Sequence, residues 1–533
     1  MTVTNEAAPI TPELAPAVPP ASIDQRLIDQ LRDQLPKSSE AHSALAPFTG
    51  EPLPDVPQSD AVTVKMAAEA GRIAQVDWAQ VPITRRQDLI LHFAKLLLDH
   101  QDQLCDLMQW ESGKARVHAA IEVQGVVSVA LHYGRHGAEY LADTKMPGFG
   151  PVRARVGYRP KGVVGVIAPW NYPLFLAVGD VIPALIAGCT VISKADSQAP
   201  LTLLLAQKLA RQAGLPDDVW QVVAGSGTHI GPPLIETIDY VCFTGSTATG
   251  RDIARRCAER LIGASLELGG KNPMIVRADA DLDAAATGAV QACFSSAGQM
   301  CIGIERIYAH ESILTPFVEA FVERTSALRL GGGYDVAVDM GSLTSQRQLD
   351  VTTRHVIDAV DRGATVLAGG RARPDLGPFF FEPTVLTDVT PDMAVYGEET
   401  FGPVVSVFSV ASDEEAVERA NEGRYGLSAS VWTRDLVAGR TLAAQIVAGA
   451  VNINDGYLSA IASLHAPMGG MRESGLGRRH GREGIVRYTE PQTVTSQRIP
   501  TPYPEHFRQF TLDLMKRVMQ VKVRLSRRPW TKT

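Results

Sequence analysis

One thiol in this chain stands apart from the others. Cys301 follows Ser295-Ser296-Ala297-Gly298-Gln299-Met300 and precedes Ile302-Gly303. Small neighbours let backbone amides and a ligand come close to the sulfur, which a packed core does not require. A thiolate is a strong nucleophile once its pKa is lowered or a base is near. Read by itself, such a cysteine is most simply a small buried hydrophobe. Two other residues change that reading. Asn171 follows Pro169-Trp170, and Glu267 precedes Leu268-Gly269-Gly270-Lys271. The Asn171 amide is a neutral N–H donor suited to an oxyanion, although Asn-Tyr-Pro can equally shape a loop. Glu267, an acid beside a glycine pair at a strand end, can swing and reach a water, although surface and helix-capping carboxylates are commoner.

The elements that must position these groups follow from the pattern of apolar residues. Strands are expected at Val163 to Ala168, Thr190 to Ser193, Trp220 to Val223 and Tyr240 to Phe243. Helices are expected at 174–187, 199–213, 228–235 and Thr247 to Cys257. Short apolar strands alternating with helices mean a parallel sheet covered on both faces. Ligands bind at the carboxyl ends of such strands. Pro169-Trp170-Asn171, Lys194, Gly225-Ser226-Gly227 and Gly245-Ser246 all fall there. Phe243-Thr244-Gly245-Ser246-Thr247 ends a strand and opens a helix, where a phosphate is favoured, but it lacks the usual G-x-G-x-x-G spacing. Lys194 could bind ribose hydroxyls or could be a solvated strand-end lysine. A second α/β block runs from about Asn272 to Gly477, with strands at Pro273 to Val276 and Glu305 to Ala309 and helices at 279–294 and 312–328.

Upstream, residues 1–20 read as a flexible tail and Ile23 to Leu35 as a short docked helix. From Ser59 the pattern is helical. Leu89, Phe93, Leu96 and Leu97 make one face of a helix with Thr84 as its candidate cap. Nothing between Ser59 and Leu141 looks catalytic. Residues 151–161 and 484–498 read as exposed arms. From Tyr503, Phe507, Phe510, Leu514, Val518, Val521 and Leu525 recur at helical spacing among basic residues. This tail is expected to dock on the protein's own surface, with an anionic membrane surface the less favoured alternative.

The totals are ordinary for a soluble globular protein. The chain has 533 residues, 45% of them hydrophobic and 20% charged, with a net charge of −7. That length gives two or three domains, and that charge argues against a nucleic-acid surface. Six cysteines without a C-x-x-C pair indicate neither disulfides nor a zinc site, so no metal is expected and a reducing cytoplasm fits. No apolar run reaches spanning length, and no secretory signal is read.

Together the motifs resemble the aldehyde dehydrogenase superfamily. Pro169-Trp170-Asn171-Tyr172-Pro173, Phe243-Thr244-Gly245-Ser246, Glu267-Leu268-Gly269-Gly270-Lys271, Gly298-Gln299-Met300-Cys301, Glu399-Thr400-Phe401-Gly402-Pro403 and Pro467-Met468-Gly469-Gly470 occur in the family's order. The resemblance spans roughly residues 45–498. It is strongest to the succinate-semialdehyde dehydrogenases of the NADP type. It implies an α/β fold with a Rossmann-like cofactor domain (46–142 and 162–271), a catalytic domain (272–477) and small β oligomerisation arms (143–161 and 478–500). A flexible extension (1–45) and a basic amphipathic tail (501–533) lie outside it. It implies Cys301 as nucleophile, Asn171 as oxyanion donor and Glu267 as the base that hydrolyses a thioester, giving a free acid. It implies Trp170, Lys194, Ser197, Gly225, Gly245, Ser246, Glu399 and Phe401 around NADP or NAD, and a homodimer or homotetramer acting on a small aldehyde, with succinate semialdehyde favoured.

Two departures qualify this. Most members carry Lys-Pro-x-Glu where this chain reads Lys194-Ala195-Asp196-Ser197. Loss of the carboxylate at Ser197 removes repulsion of a 2′-phosphate, which predicts NADP acceptance, with Asp196 able to substitute for the acid. The position on the helix after Asn171 that offers an arginine to a distal carboxylate is Gly179, followed by Asp180. Leu174, Phe175, Leu176 and Val178 suggest a more apolar aldehyde, and Arg306 and Arg472 are the basic candidates nearby. A broad-specificity aliphatic or aromatic aldehyde dehydrogenase is the alternative enzyme, and a non-catalytic protein on the same fold the alternative of another class.

Overall fold

The computed structural model describes residues 20–147, 152–497 and 508–526. The reading of residues 1–20 as a flexible tail falls, but for Pro20, outside them. The chain divides into two units, residues 1–141 with 159–490, and residues 142–158 with 491–533.

The larger unit holds two open α/β sheets. The first contains β1 (Val163–Ile167), β2 (Thr190–Ala195), β3 (Trp220–Ala224), β4 (Tyr240–Thr244) and β5 (Gly263–Glu267). The second contains β6 (Asn272–Val276), β7 (Ile304–His310), β8 (Thr365–Ala368), β9 (Thr384–Thr387), β10 (Val404–Val410), β11 (Ser428–Trp432) and β12 (Ala450–Ile453). A short β13 (Gly475–Leu476) returns to the first sheet and pairs antiparallel with β5. The orders are β13-β5-β4-β1-β2-β3 and β8-β9-β10-β7-β6-β11-β12. β1 to β5 pair only in parallel among themselves. Their Val, Ile and Ala runs bury both faces, which is why they carry no polar alternation.

Every strand and helix expected in these blocks forms, with ends displaced by one to three residues. The larger displacements have local causes. The Leu282–Phe294 helix starts late because the Asp281 carboxylate caps it, accepting from Ala284 N. The Ile83–Asp99 helix does not use Thr84 as its cap: Pro82 occupies the cap position and no side chain caps it. Proline fixes the extended entry backbone, and its carbonyl accepts from Arg85 N and Arg86 N. The predicted face of that helix is right: Phe93 and Leu97 are buried, and Leu89 and Leu96 pack against the same core. The docked N-terminal helix is Gln25–Arg32, with Ile28 and Leu31 buried.

The smaller unit is strand and helix. Thr144–Pro147 and Val152–Pro160 pair antiparallel within a three-stranded sheet completed by Thr489–Gln497. All four side chains of the first strand are exposed, as are residues 490–497 of the last. The tail helix runs Arg508–Ser526, and Phe510, Leu514, Val521 and Leu525 along it are exposed, Phe510 by 64%. Phe507 lies outside the described residues. Among the described residues no helix is long and apolar enough to cross a membrane.

Candidate active site

The carboxyl ends of β1 to β5 face the same way, so the loops leaving them share one edge. Cys301 lies in the turn between the Leu282–Phe294 helix and β7. That turn is strained. Ser296 and Ala297 have φ of 51° and 54°, and Gly298 follows at 69°. Two left-handed non-glycine residues cost about 1–3 kcal/mol each and persist only if the surroundings hold them. Here Tyr172 Oη and Ser296 Oγ lie 2.9 Å apart, Tyr457 Oη donates to Ser295 Oγ at 3.0 Å, and Ser296 N donates to His118 Nδ1 at 3.3 Å. Gln299 Nε2 reaches Ser296 O and Ser342 O, while its Oε1 accepts from Thr344 N. Asn272 Nδ2 donates at 2.8 Å to both Cys301 O and Gly303 O. A Cβ on Gly270 would stand 2.5 Å from Cys301 O, so the glycine pair after Glu267 also lets this turn close.

Cys301 is half-buried, whereas the other five cysteines are buried. Burial, and then the negative charges of Glu399 and Glu267, push its thiol up to about 12 against the pull of Arg479. The sulfur therefore rests protonated and needs a base. Glu267 ends β5, is 6% exposed, and its Oε1 has no hydrogen-bond partner among the described residues. Burial raises its carboxyl to about 7, although Arg479 and Arg487 pull it down. An acid half-ionised near neutrality suits general base work.

Asn171 is 4% exposed. Its Nδ2 donates to Gln299 O at 2.9 Å, which leaves one amide hydrogen, and its Oδ1 has no partner among the described residues. Its placement depends on a region that looked free of chemistry. Glu122, on the Arg116–Tyr140 helix, accepts from Leu174 N at 2.8 Å and Phe175 N at 2.9 Å, the first turn of the helix after Asn171. The buried Lys114 ammonium pairs with Glu122 and lies 3.9 Å over the Tyr172 ring. Neither residue carries a motif, and only the fold reveals them.

The remaining predicted residues sit along the same edge or on the loop before β10. Lys194 lies inside β2 at 7% exposure, so it is not a solvated strand-end lysine. Ser197 is half-buried in the next turn, where the neighbouring Asp196 Oδ1 accepts from Gln198 N at 2.9 Å. Gly225 leads into Ser226, which caps the Gly227–Thr237 helix. Ser246, after Gly245, caps the Thr247–Glu259 helix. Two helix amino termini thus open at the sheet edge, each suited to an anion. The buried Thr247 Oγ1 there has no hydrogen-bond partner among the described residues. Trp170 and Phe401 meet edge to face, 5.7 Å between ring centres. Glu399 Oε1 accepts from Gly270 N at 3.0 Å, and burial with the nearby Glu305 charge raises its carboxyl to about 8. Glu305 holds that loop by accepting from Thr400 N and Phe401 N, and it pairs with buried Lys271.

Two readings about the substrate side change. Leu174 and Val178 are fully buried in the core and offer no apolar wall to a ligand; Leu176 is almost as buried, and of that set only Phe175 is part-exposed. Arg306 donates to Lys271 O, Arg419 O and Ala420 O, and Arg472 to Asn421 O and Gly423 O, so both guanidinium groups serve backbone carbonyls. Asp180 is instead the buried centre of two ion pairs, 2.8 Å to Arg479 and 2.6 Å to Arg487. Gly179 has open space where its Cβ would be.

The chain matches the model of the Aldehyde dehydrogenase family over residues 35–494. A protein of Mycolicibacterium smegmatis named "Putative succinate-semialdehyde dehydrogenase (NADP(+))" is 49% identical over 454 residues, 85% of this chain and 88% of that protein. Among solved structures, an NADP dependent enzyme of E. coli aligns with a TM-score of 0.83 at 34% identity, covering 86% of this chain and 95% of that one. An NAD+ complex of aldehyde dehydrogenase from Bacillus cereus aligns with a TM-score of 0.83 at 35% identity, covering 86% and 94%. This chain therefore belongs to the aldehyde dehydrogenase family.

Proposed function

We propose that this protein oxidises an aldehyde to a carboxylic acid with NADP or NAD, that Cys301, Glu267 and Asn171 carry the chemistry, and that succinate semialdehyde is the substrate. The observation that carries the chemistry is a half-buried thiol on a turn held at the sheet, together with the buried Glu267 carboxylate that ends β5 with no partner for Oε1 among the described residues. Glu267 takes the Cys301 proton as sulfur bonds to the carbonyl carbon. The oxygen that becomes negative accepts from the remaining Asn171 amide hydrogen and from the Cys301 backbone N–H. A bound nicotinamide would supply the hydride acceptor for that carbon, and Cys301 would then hold the acyl group as a thioester. Glu267 gives the thiol proton up to solvent and, ionised again, deprotonates a water, which displaces the sulfur as thiolate and releases the acid.

The donor set fits a dinucleotide. The helix termini behind Gly225 and Ser246 suit its phosphates, Lys194 and Glu399 its ribose hydroxyls, and the Trp170–Phe401 pair its nicotinamide end. Ser197 brings no negative charge against a 2′-phosphate, and Asp196 already accepts from the backbone beside it, which favours NADP. Succinate semialdehyde rests on the name borne by relatives such as the M. smegmatis protein. The space at Gly179 supports the second reading, a broad-specificity aldehyde dehydrogenase. The exposed strands of the arms support pairing with a second copy, as homodimer or homotetramer.

The test is steady-state kinetics with both cofactors on succinate semialdehyde and benzaldehyde, for the parent and for Cys301→Ala. The proposal expects Cys301→Ala to lose at least ~10⁴-fold in turnover. Reduced cofactor still formed by Cys301→Ala would overturn the chemistry. A higher kcat/KM for benzaldehyde would overturn the substrate, and a higher kcat/KM for NAD would overturn the cofactor preference. Light scattering on the full chain that returned a monomer mass would overturn the assembly.

A further inference from the structure

Away from Cys301, three imidazoles converge. His132 and His136 stand one turn apart on the Arg116–Tyr140 helix, so both point from the same face. His465 comes from the loop after the Leu458–Ala462 helix. One ring nitrogen from each lies within 4.8 Å of the other two, and among the described residues this is the one cluster of three or more His, Cys, Asp or Glu so placed. Ring centres are 4.5 Å apart for His132 and His465, 4.8 Å for His136 and His465, and 5.3 Å for His132 and His136. We propose that His132, His136 and His465 form a binding site for a divalent ion of the zinc class, which clamps the helix to the His465 loop.

Three arguments support this ion. Imidazole nitrogen suits zinc, nickel and copper, whereas magnesium and calcium need oxygen ligands. A tetrahedral ion with bonds of 2.0–2.1 Å needs its nitrogens about 3.3 Å apart. The present spacing reaches 4.8 Å, so binding would draw the three rings together, and two of the residues that would move are part-exposed or exposed. The outer partners are also in place. Glu139 Oε2 lies 3.5 Å from His136 Nδ1, a carboxylate beside a ligand ring. Tyr140 Oη reaches His132 Nε2 at 3.3 Å and His465 Nδ1 at 3.2 Å, so it already bridges two of the three ligands.

The consequence for the enzyme follows from what the loop joins. His465 lies between the Leu458–Ala462 helix and Met468. Leu458, Ile461 and Met468 pack with Cys301 on the cluster of Met300, Ile302, Leu427 and Tyr457. An ion held by His465 therefore stiffens the segment that borders the nucleophile. The sequence expectation of no metal came from cysteine spacing, which does not register two histidines on a helix joined by a third from a distant loop.

The experiment titrates Co2+ and then Zn2+ into full-length Cys301→Ala protein, which removes the half-buried thiol as a competing ligand. The proposal expects one Co2+ per chain with visible d–d absorption of a tetrahedral site, displaced by Zn2+. His136→Ala and His465→Ala in that background should each weaken binding by more than ~100-fold. Both replace part-exposed or exposed side chains, and an unchanged melting temperature without metal confirms that they fold. Backbone hydrogen exchange at residues 463–468 should slow with Zn2+ in the Cys301→Ala protein and not in the His136→Ala variant. Absence of saturable one-to-one binding, or binding left intact by both histidine substitutions, overturns the proposal.

Discussion

Glu267→Gln separates a catalytic role from a packing role. In the native chain the Glu267 carboxyl is buried, Oε1 lacks a partner among the described residues, and burial holds its pKa at about 7. An unfolded chain would release that proton near ~4.3. Between those values the native state binds more protons than the unfolded one, so stability falls as pH rises. The fall is complete above the folded pKa, and at 1.36 kcal/mol per pH unit it amounts to ~3–4 kcal/mol. Glutamine is nearly isosteric and does not ionise, so the variant lacks this slope. Its stability relative to the parent should therefore improve from pH 4.5 to pH 8 by up to ~3–4 kcal/mol. Other titrating groups cancel in the difference. Urea unfolding of both proteins at matched pH measures it. The same variant should lose 10²–10⁴-fold in kcat, the usual contribution of a positioned base. If the stability difference is flat from pH 5 to 8, Glu267 does not titrate there and the assignment of the base loses its physical ground. If kcat survives, another group activates the water.

Further outcomes follow from single neighbours. Glu122→Gln leaves the buried Lys114 ammonium without its counter-charge, and should destabilise by ~3–5 kcal/mol in urea unfolding while lowering kcat through the Asn171 turn. Ser197→Glu places a carboxylate against the 2′-phosphate of NADP, and should lower the NADP to NAD ratio of kcat/KM by at least ~tenfold; an unchanged ratio would remove Ser197 from cofactor selection. Gly179→Arg enters open space, and should raise kcat/KM for succinate semialdehyde relative to benzaldehyde, the opposite change excluding this helix face from the substrate side.

The pattern of apolar residues determined much of this molecule. Short Val-, Ile- and Ala-rich strands with no polar alternation can be satisfied only by a sheet covered on both faces, and β1 to β4 form one with the suspect loops at its carboxyl edge. Local sequence also located the thiol turn, because small residues surround Cys301, but the left-handed backbone at Ser296 and Ala297 is held by partners distant in the chain such as Tyr172. Chemistry that depends on burial was not legible. No spacing tells that Glu267 ends in a site with no partner for Oε1, that Lys194 is inside, or that Leu174 and Val178 turn to the core rather than to a ligand. The same holds for groups joined over long stretches of chain: Glu122 under the Asn171 turn, Glu305 under the Glu399 loop, Asp180 between Arg479 and Arg487, and His465 beside His132. Sequence sets periodicity and local backbone preference, which are properties of neighbours along the chain. Desolvation and charge pairing depend on which distant residues share a low-dielectric interior, and tertiary packing alone decides that.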